Sequence, residues 1–274
     1  MSYKIIASDL DGTLLNSSSN LSPENTEAIK ALYECGVQFV PASGRSFSEM
    51  PEAVKSNPYI RYYIHSSGAA IYDKLEDKRT TWCIPRELAP EIFNIIYKYD
   101  CHVTVRMNGG TYTDTALIDK ASLDHHNVWQ IHRNLLFASG KMLDNFKETV
   151  KASSGIEMIS LFLHDESDRS RIISELSSLG DLNFAKACPF NLEITSRLAD
   201  KGNALRTLAA HLSVDISDVM ALGDSGNDIP MVKAAGHGVA MSNSMPELLA
   251  IADEVICSND QHGVKYILEK YYVN

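Results

Sequence analysis

Short apolar segments alternate with helical segments at both ends of this chain, and that order restricts the fold more than any other feature. Near the N-terminus, the apolar run Tyr3–Ala7 is followed by a helix start at Ser22 and a second apolar run at Val37–Pro41. The same order recurs late in the chain, where the helical segment Lys201–Leu212 precedes the strand-like letters DVMAL. Parallel strands need a crossover connection, which is usually a helix. The chain is therefore predicted to be an α/β protein with a Rossmann-like parallel-sheet core.

The middle of the chain has a different pattern, which indicates antiparallel strands. The letters HVTVRMNGGTYTD alternate with period two around Asn108-Gly109-Gly110, as expected of a β-hairpin. Further strand-like segments, EMISLFLHD and LNFAKA, flank a helical one. We therefore predict a second domain of α+β type at residues 84–190, inserted between residues 1–83 and 191–274 of the core domain.

Composition and charge exclude several classes of partner. The 274 residues carry a formal net charge of −10, whereas a general nucleic-acid or anionic-membrane binder needs a basic surface. No apolar run approaches the roughly 18 residues of a membrane span, and the N-terminus lacks the features of a secretory signal. The 5 cysteines are scattered, with no CxxC pair, as in a reducing compartment. We expect a cytoplasmic protein that binds neither nucleic acid nor membrane.

Four polar clusters fall where predicted strands end, and ligands of open parallel sheets bind at the carboxyl ends of strands. The clusters are Asp9/Asp11, Ser43-Gly44-Arg45, Ser66-Ser67-Gly68, and Asp224 to Asp228. Facing carboxylates in the first and last clusters would need a cation, and a small set of oxygen ligands suits Mg²⁺. Lys201, at the start of a helix, adds an anion site. Together these groups favour phosphoryl transfer, where negative charge is crowded.

Four motifs carry a resemblance to a known family. DLDGT, Ser43 after the second strand, the distal Lys201 and GDSGND resemble, in order and spacing, the motifs of the haloacid dehalogenase-type (HAD) phosphatases. The long insert between the Ser and Lys motifs, with the stretches SGRS, AMSNSMPELLAIAD and DQHGV, is similar to the Cof-like subfamily. The resemblance covers nearly the whole chain. It implies a HAD-type catalytic core and a large α+β cap of type C2B that determines substrate specificity.

The resemblance also implies a role for each motif residue. Asp9 would attack phosphorus and form an aspartyl phosphate, while Asp11 would act first as acid and then as base. Lys201 would pair with Asp9 and with the transferring phosphoryl group. The residues implied to bind phosphate are Leu10, Asp11, Ser43, Gly44, Lys201 and Asn227. The implied ligands of Mg²⁺ are Asp9, Asp11 through its backbone carbonyl, Asp224, and Asp228.

Other charged and titratable residues have less specific signals. Arg45, next to the Ser43 motif, is a candidate substrate contact, with a role in an ion pair as the alternative. Arg106 and Lys186 in the predicted cap are expected to bind the non-reacting end of the substrate. His125 and His126 are adjacent, which is poor geometry for holding one metal from a helix face. No ligand role is expected of these two histidines.

The predicted function is a Mg²⁺-dependent phosphatase that hydrolyses small phosphorylated metabolites such as sugar phosphates. A sugar phosphomutase stays open as an alternative, and it would need a bisphosphate activator. A receiver-like signalling module is also phosphorylated on Asp with Mg²⁺, but the D-x-D spacing, the large insert and the separate Asp224 motif argue against it.

Overall fold

The computed structural model describes residues 3–273 of the chain, which form two compact units. The core unit consists of the described residues up to Gly44, Met50–Thr80, and the described residues from Asp200 to residue 273. The insert unit consists of Arg45–Glu49 and Thr81–Ala199.

The strands of the described residues are, in chain order, β1 (Ile5–Ser8), β2 (Gln38–Pro41), β3 (Tyr62–His65), β4 (Ala70–Asp73), β5 (Lys78–Thr81), β6 (Cys101–Met107), β7 (Gly110–Asp114), β8 (Lys141–Leu143), β9 (Ile156–Leu163), β10 (Leu182–Ala185), β11 (Asn191–Ser196), β12 (Val219–Gly223), β13 (His237–Met241) and β14 (Glu254–Ile256).

The α-helices of the same residues are α1 (Pro23–Glu34), α2 (Glu52–Lys55), α3 (Ala89–Ile96), α4 (Lys120–His125), α5 (Gln130–Ser139), α6 (Phe146–Ala152), α7 (Asp168–Ser177), α8 (Lys201–His211), α9 (Ile229–Ala234), α10 (Pro246–Leu249) and α11 (Gly263–Tyr271). Short 3₁₀ turns include Ser66–Gly68 and Gly226–Asp228.

The core unit contains a parallel five-stranded sheet in the order β14-β13-β12-β1-β2. All of β1 and β12 is buried, which explains why both read as unbroken apolar runs rather than alternating ones. In register, Ser8 at the end of β1 pairs with Leu222 of β12 and with Pro41 of β2. The predicted α/β class with a parallel core sheet is confirmed.

β3, the next strand along the chain after β2, does not belong to the five-stranded sheet. β3 pairs antiparallel with β4 in a separate three-stranded sheet, β3-β4-β5. Its link to β2 is a single parallel bridge between Ala42 and Ile64, supported by a 2.9 Å bond from the Ser43 N–H to the Ile64 carbonyl. An apolar strand of four residues does not identify its partners, so the sequence could not separate these two arrangements.

The insert unit contains a six-stranded sheet in the order β10-β11-β9-β6-β7-β8, antiparallel except for the β7–β8 pair. The predicted hairpin is present as β6 and β7, and its turn residues Asn108 and Gly109 have φ of 51° and 76°. Positive φ at two successive positions is the requirement of a type I′ turn, which Asn-Gly meets at low cost. Helix α3 packs against α6 and α7, and all of β9 is buried in the core of this unit.

The structure divides the chain at positions other than the predicted 83/84 and 190/191. β11 pairs antiparallel with β9, with Ile194 opposite Ile159, so residues 191–199 belong to the insert unit. Arg45–Glu49 also joins this unit, where the Ser48 N–H donates to the Gly109 carbonyl at 3.0 Å. None of the helices in the described part of the chain has the length and apolar character needed to span a bilayer.

Candidate active site

Two neighbouring core strands deliver acidic residues to the same edge of the sheet. Because Ser8 and Leu222 are in register, Asp9 and Asp224 leave β1 and β12 close to each other, and the Asp9 N–H donates to the Leu222 carbonyl at 3.0 Å. The first and last clusters predicted from the sequence therefore meet at the carboxyl end of the sheet, as expected of a parallel arrangement.

Lys201 lies between two of these carboxylates. Its Nζ atom is 2.5 Å from Oδ1 of Asp9 and 2.6 Å from Oδ1 of Asp228. The side chains of Lys201 and Asp228 are both 0% exposed. Lys201 is the first residue of α8, and the side chain of Asp200 caps that helix by accepting the Asn203 N–H at 2.8 Å. The cap fixes the start of the helix and thereby the position of the ammonium.

A second close approach supports the same helix start. Gly68, in the third polar cluster, has φ of +90°, and a Cβ there would lie 2.2 Å from the carbonyl carbon of Asp200. Only glycine allows the Ser66–Gly68 turn to approach the first residue of α8 this closely. The third cluster therefore has a structural part in placing Lys201.

The site carries more negative than positive charge. Oxygen atoms of Asp9, Asp224 and Asp228 lie within 4.8 Å of one another, and one ammonium faces them. Burial raises the pKa of Asp9 well above its usual range, with Lys201 opposing this and Asp228 and Asp224 adding to it. Burial, reinforced by Asp228, raises the pKa of Asp224 to about 7. Burial alone would lower the pKa of Lys201, but the adjacent Asp228 and Asp9 outweigh it and raise that pKa.

The donor atoms of this cluster fit a divalent metal. Three carboxylates against one ammonium leave an excess of negative charge in a poorly solvated place, which a divalent cation would balance. All three donors are carboxylate oxygens, the ligand type of hard cations rather than of copper or zinc. The residues present are therefore suited to a hard divalent ion.

Both carboxylate oxygens of Asp228 accept hydrogen bonds from neighbouring residues. Its Oδ2 accepts the Asp224 N–H at 3.0 Å, the Ser225 N–H at 2.9 Å and the Ser225 hydroxyl at 3.2 Å, while its Oδ1 accepts from Lys201. Asn227, on the same turn, accepts the Ser225 hydroxyl at 2.9 Å through Oδ1. Asp228 therefore holds the turn together and orients Lys201.

Three residues that position Asp224 have no predicted role. The Thr13 hydroxyl donates to Asp224 Oδ1 at 2.8 Å, and the Asn243 side-chain amide donates to the Gly12 carbonyl at 2.8 Å. Gly12 has φ of +86°, and a Cβ there would lie 2.5 Å from Asp224 Oδ2. Thr13 and Gly12 lie in the motif DLDGT, so the signal was present in the letters directly after the two acids. The tight turn at Gly12 brings the loop against Asp224.

The other predicted phosphate-binding residues follow the ends of β1 and β2. Leu10 is buried, and its carbonyl accepts the Leu15 N–H at 2.8 Å. Asp11 forms a bridge with Leu15 in the same loop. Ser43 is buried after β2, with its carbonyl accepting the Ser67 N–H at 3.1 Å, and Gly44 is the last residue before the chain enters the insert unit.

The predicted substrate-binding residues all lie in the insert unit and already have partners there. Arg45 Nη1 donates to the Glu49 carbonyl at 3.0 Å, and Arg106 Nε donates to Glu49 Oε2 at 3.1 Å. Both arginines are buried. Lys186 pairs with Glu166 at 3.3 Å instead, with half of its side chain exposed. The structure brings Arg45 and Arg106 to one glutamate but does not bring Lys186 there, and their contact with substrate stays a prediction.

Comparison with known proteins identifies the family. A model of the haloacid dehalogenase-like hydrolases, Hydrolase_3, matches residues 6–268. The chain belongs to this family of hydrolases. "Phosphatase YwpJ" of Bacillus subtilis is similar to this hydrolase, with 28% identity over 281 residues that cover 97% of this chain and 99% of that protein.

Two further similarities extend over most of this hydrolase. The "5-amino-6-(5-phospho-D-ribitylamino)uracil phosphatase YcsE" of Bacillus subtilis is 28% identical over 262 residues, covering 95% of this chain and 92% of that protein. A solved haloacid dehalogenase-like hydrolase from B. subtilis superposes with a TM-score of 0.82 and 28% identity, covering 97% of this chain and 99% of that one. The predicted family and enzyme class, a hydrolase of phosphoric monoesters, are confirmed at the level of the family.

Proposed function

We propose that this hydrolase is a Mg²⁺-dependent phosphatase that removes phosphate from small phosphorylated metabolites through a phosphorylated Asp9. The observation that carries the proposal is the buried Lys201 ammonium, bonded to Asp9 at 2.5 Å and to Asp228 at 2.6 Å beside a third carboxylate. Because carboxylates outnumber the ammonium, this group would bind an anionic phosphate only together with a metal cation. Metal-assisted phosphoryl transfer uses such an arrangement.

In the first step, a carboxylate oxygen of Asp9 attacks phosphorus and the bond from phosphorus to the leaving oxygen breaks. The positive charge of Lys201 favours the ionised, nucleophilic form of Asp9 and opposes the effect of burial on its pKa. Asp11, two residues further along the chain, is partly buried, and it gives a proton to the leaving oxygen. The products of this step are the free alcohol and phosphorylated Asp9.

In the second step, water attacks phosphorus and the bond to Asp9 breaks. Asp11, now ionised, takes the proton from the attacking water. Inorganic phosphate leaves, and both aspartates return to their starting states. Ser43 and Asn227 hydrogen-bond the transferring group, together with the backbone amides of Leu10, Asp11 and Gly44.

Asp9, Asp224 and the Asp11 carbonyl would hold Mg²⁺, which supplies positive charge against the phosphoryl oxygens when it is bound. Asp228 would act through a water molecule rather than directly. Its two oxygens already accept four hydrogen bonds, which supports an indirect role.

The substrate class rests on the relatives and on the size of the insert. A relative named for a phosphorylated ribitylaminouracil supports a small metabolite as substrate. We assign the choice among metabolites to the insert unit, with Arg45, Arg106 and Lys186 as candidate contacts. The five cysteines are free, which supports a reducing compartment, and we place the activity in the cytoplasm.

Phosphate release from a panel of phosphorylated metabolites tests this proposal. We expect release from at least one sugar phosphate or related monoester in Mg²⁺, and none in excess chelator or with Asp9→Asn. A sugar phosphomutase would instead isomerise a sugar monophosphate and need a bisphosphate activator. Release that is unchanged by the chelator or by Asp9→Asn contradicts the proposed mechanism, and no release from any monoester contradicts the proposed activity.

A further inference from the structure

A second group of potential ligands lies in the insert unit. Asp100, His125 and His126 each place one ligand atom within 4.8 Å of the others. Asp100 directly precedes β6, while His125 is the last residue of α4 and His126 is its C-cap, with φ of −91° and ψ of 12°. Adjacent residues within a helix would point to different sides of it. Here the helix ends between the two histidines, so this restriction does not apply.

Both imidazoles face the same carboxylate. His125 Nε2 is 2.6 Å from Asp100 Oδ2, and His126 Nε2 is 3.0 Å from Asp100 Oδ1. The two histidines contact different oxygens, so each carboxylate oxygen of Asp100 has one imidazole partner.

The hydrogen-bond partners of His126 make this arrangement unusual. Its Nδ1 is 2.7 Å from the Ser122 carbonyl, which can only accept, so Nδ1 carries a hydrogen. In a neutral imidazole, Nε2 then carries a lone pair and can only accept a hydrogen bond. It faces a carboxylate oxygen of Asp100, which is also only an acceptor. Two acceptors at 3.0 Å need a proton or a metal cation to hold them together.

Further histidine contacts fix the geometry around His125. His125 lies 4.8 Å from His126 and stacks on His164 at 4.0 Å with an interplanar angle of 12°. His164 Nδ1 is 2.8 Å from the His125 carbonyl, so its hydrogen is fixed in the same way as that of His126. A single divalent cation would satisfy both Nε2 atoms and the carboxylate, whose ligand atoms all lie within 4.8 Å of one another.

We propose that Asp100, His125 and His126 bind one transition-metal ion of the Zn²⁺ class. Two imidazole nitrogens and one carboxylate oxygen are typical ligands of Zn²⁺, with neighbouring ligand atoms about 3.3 Å apart in a tetrahedral site. The contacts at His125 and His126 need only small side-chain movements to reach that spacing. The carbonyl that holds Nδ1 of His126 matches the usual second partner of a metal-bound histidine.

Solvent has access to the fourth ligand position. The side chains of Asp100 and His125 are 56% and 46% exposed, whereas His126 is buried. A water molecule therefore completes the coordination. The site differs from the Asp9 cluster in its nitrogen donors, which Mg²⁺ does not favour. Bound metal would join the start of β6 to the end of α4 and stabilise the insert unit.

Cobalt absorption of the full-length protein tests the proposal, because Co²⁺ reports its own coordination geometry. Titration in excess Mg²⁺ is expected to show one equivalent of Co²⁺ with tetrahedral visible bands and no thiolate charge-transfer band in the near ultraviolet. Zn²⁺ should displace it. His125→Ala should weaken binding by more than about tenfold, since even the partners of ligands contribute that much. The matched control is His211→Ala, which removes an exposed histidine of the core unit and should leave the spectrum unchanged.

Asp100→Asn provides a second variant, which keeps the shape of the side chain and should also lose the tetrahedral spectrum. Equal Co²⁺ binding by the parent, His125→Ala and Asp100→Asn overturns the proposal. So does a parent spectrum with thiolate bands or with octahedral bands only. Nitrogen-15 spectra of the histidine rings separate the remaining explanation. If a proton alone joins His126 to Asp100, Zn²⁺ leaves the His126 Nε2 resonance in place, and the metal site does not exist.

Discussion

The Nζ atom of Lys201 lies 2.5 Å from Oδ1 of Asp9. Both residues are buried, so the contact takes the place of the water that would otherwise solvate each charge. A buried pair of this kind is costly to break from one side, because the remaining charge has no solvent and no partner. The proposed nucleophile and its ammonium therefore act as one unit.

Replacing Lys201 with methionine should abolish most of the activity. Methionine has a similar length but no charge, and it would leave Asp9 and Asp228 without their shared cation. We expect a decrease in kcat of about 100- to 1000-fold, the size found when one group that stabilises the transition state is removed. Steady-state kinetics on the substrate found in the panel would measure it. Lys201→Arg keeps the charge in another shape, and a methionine variant as active as this arginine variant would argue against the role of the ammonium.

Gly12→Ala should damage the proposed metal site, and Gly36→Ala supplies its control. Both glycines have positive φ, of 86° and 80°, so both substitutions should destabilise the fold by about 1–2 kcal/mol. At Gly36 nothing lies within 4 Å of the added Cβ, whereas at Gly12 Asp224 Oδ2 is 2.5 Å away. Only Gly12→Ala should raise the Mg²⁺ concentration needed for half-maximal activity. Equal Mg²⁺ requirements in the two variants would show that the Gly12 turn does not place Asp224.

The buried pair of Glu49 and Arg106 should make the insert unit sensitive to acid. Burial raises the pKa of Glu49, but Arg106 and the Ser46 N–H at 2.7 Å outweigh it and lower that pKa. A folded-state pKa below the unfolded value means that the pair stabilises the protein above about pH 4.3, the ordinary glutamate value. That stability is lost as the pH falls through the lower, folded-state pKa. Urea unfolding across this pH range would measure the loss.

Glu49→Gln tests the same pair at neutral pH. It leaves the buried Arg106 charge without a carboxylate, and we expect a loss of about 3–5 kcal/mol in unfolding free energy. Glu175→Gln, which removes the exposed partner of Lys98, should have little effect. If both variants unfold at the same urea concentration, the buried pair does not contribute as described.

The proposed use of Mg²⁺ rests on the carboxylate oxygens of the core site. Mg²⁺ should support activity, and Ca²⁺ should inhibit it, because Ca²⁺ takes more ligands at longer distances and would misplace the phosphoryl group. Asp224→Asn should raise the Mg²⁺ requirement about tenfold or more. Activity assays over a range of both cations check this. Equal rates in Ca²⁺ and Mg²⁺ would contradict a site with small, strict geometry.

Local signals predicted much of the fold and of the site. Ser22 caps α1 as expected, the Asn108-Gly109 turn closes its hairpin, and Lys201 begins α8. These features depend on turn chemistry or on spacing within a few residues, both of which can be read from the sequence. Pairing between distant segments cannot be read from it. β11 pairs with β9 rather than with the core sheet, and Glu49 pairs with Arg106 across 57 residues. Neither pairing could be predicted, because an apolar strand or a single charged residue carries no information about its distant partner.

The residues of the candidate site also fall into those that the sequence predicts and those that it does not. The acids of DLDGT and GDSGND were recognisable because their order and spacing are distinctive. Thr13 acts through one hydrogen bond to Asp224, and His126 acquires its unusual partners only because α4 ends beside it. Both depend on where a turn or helix end places one side chain. Single-residue signals of that kind have no pattern along the chain.

The central claim is that Asp9 carries the phosphoryl group between the two steps, and a trapping experiment on Asp11→Asn tests it most directly. With an aryl phosphate, the leaving group needs no acid, so the first step should proceed while the second, which needs Asp11 as base, is slow. We predict a burst of phenol close to one equivalent of enzyme, and acid-quenched protein with its phosphate on the peptide that contains Asp9. Turnover without protein-bound phosphate, or phosphate on any residue other than Asp9, would contradict the account.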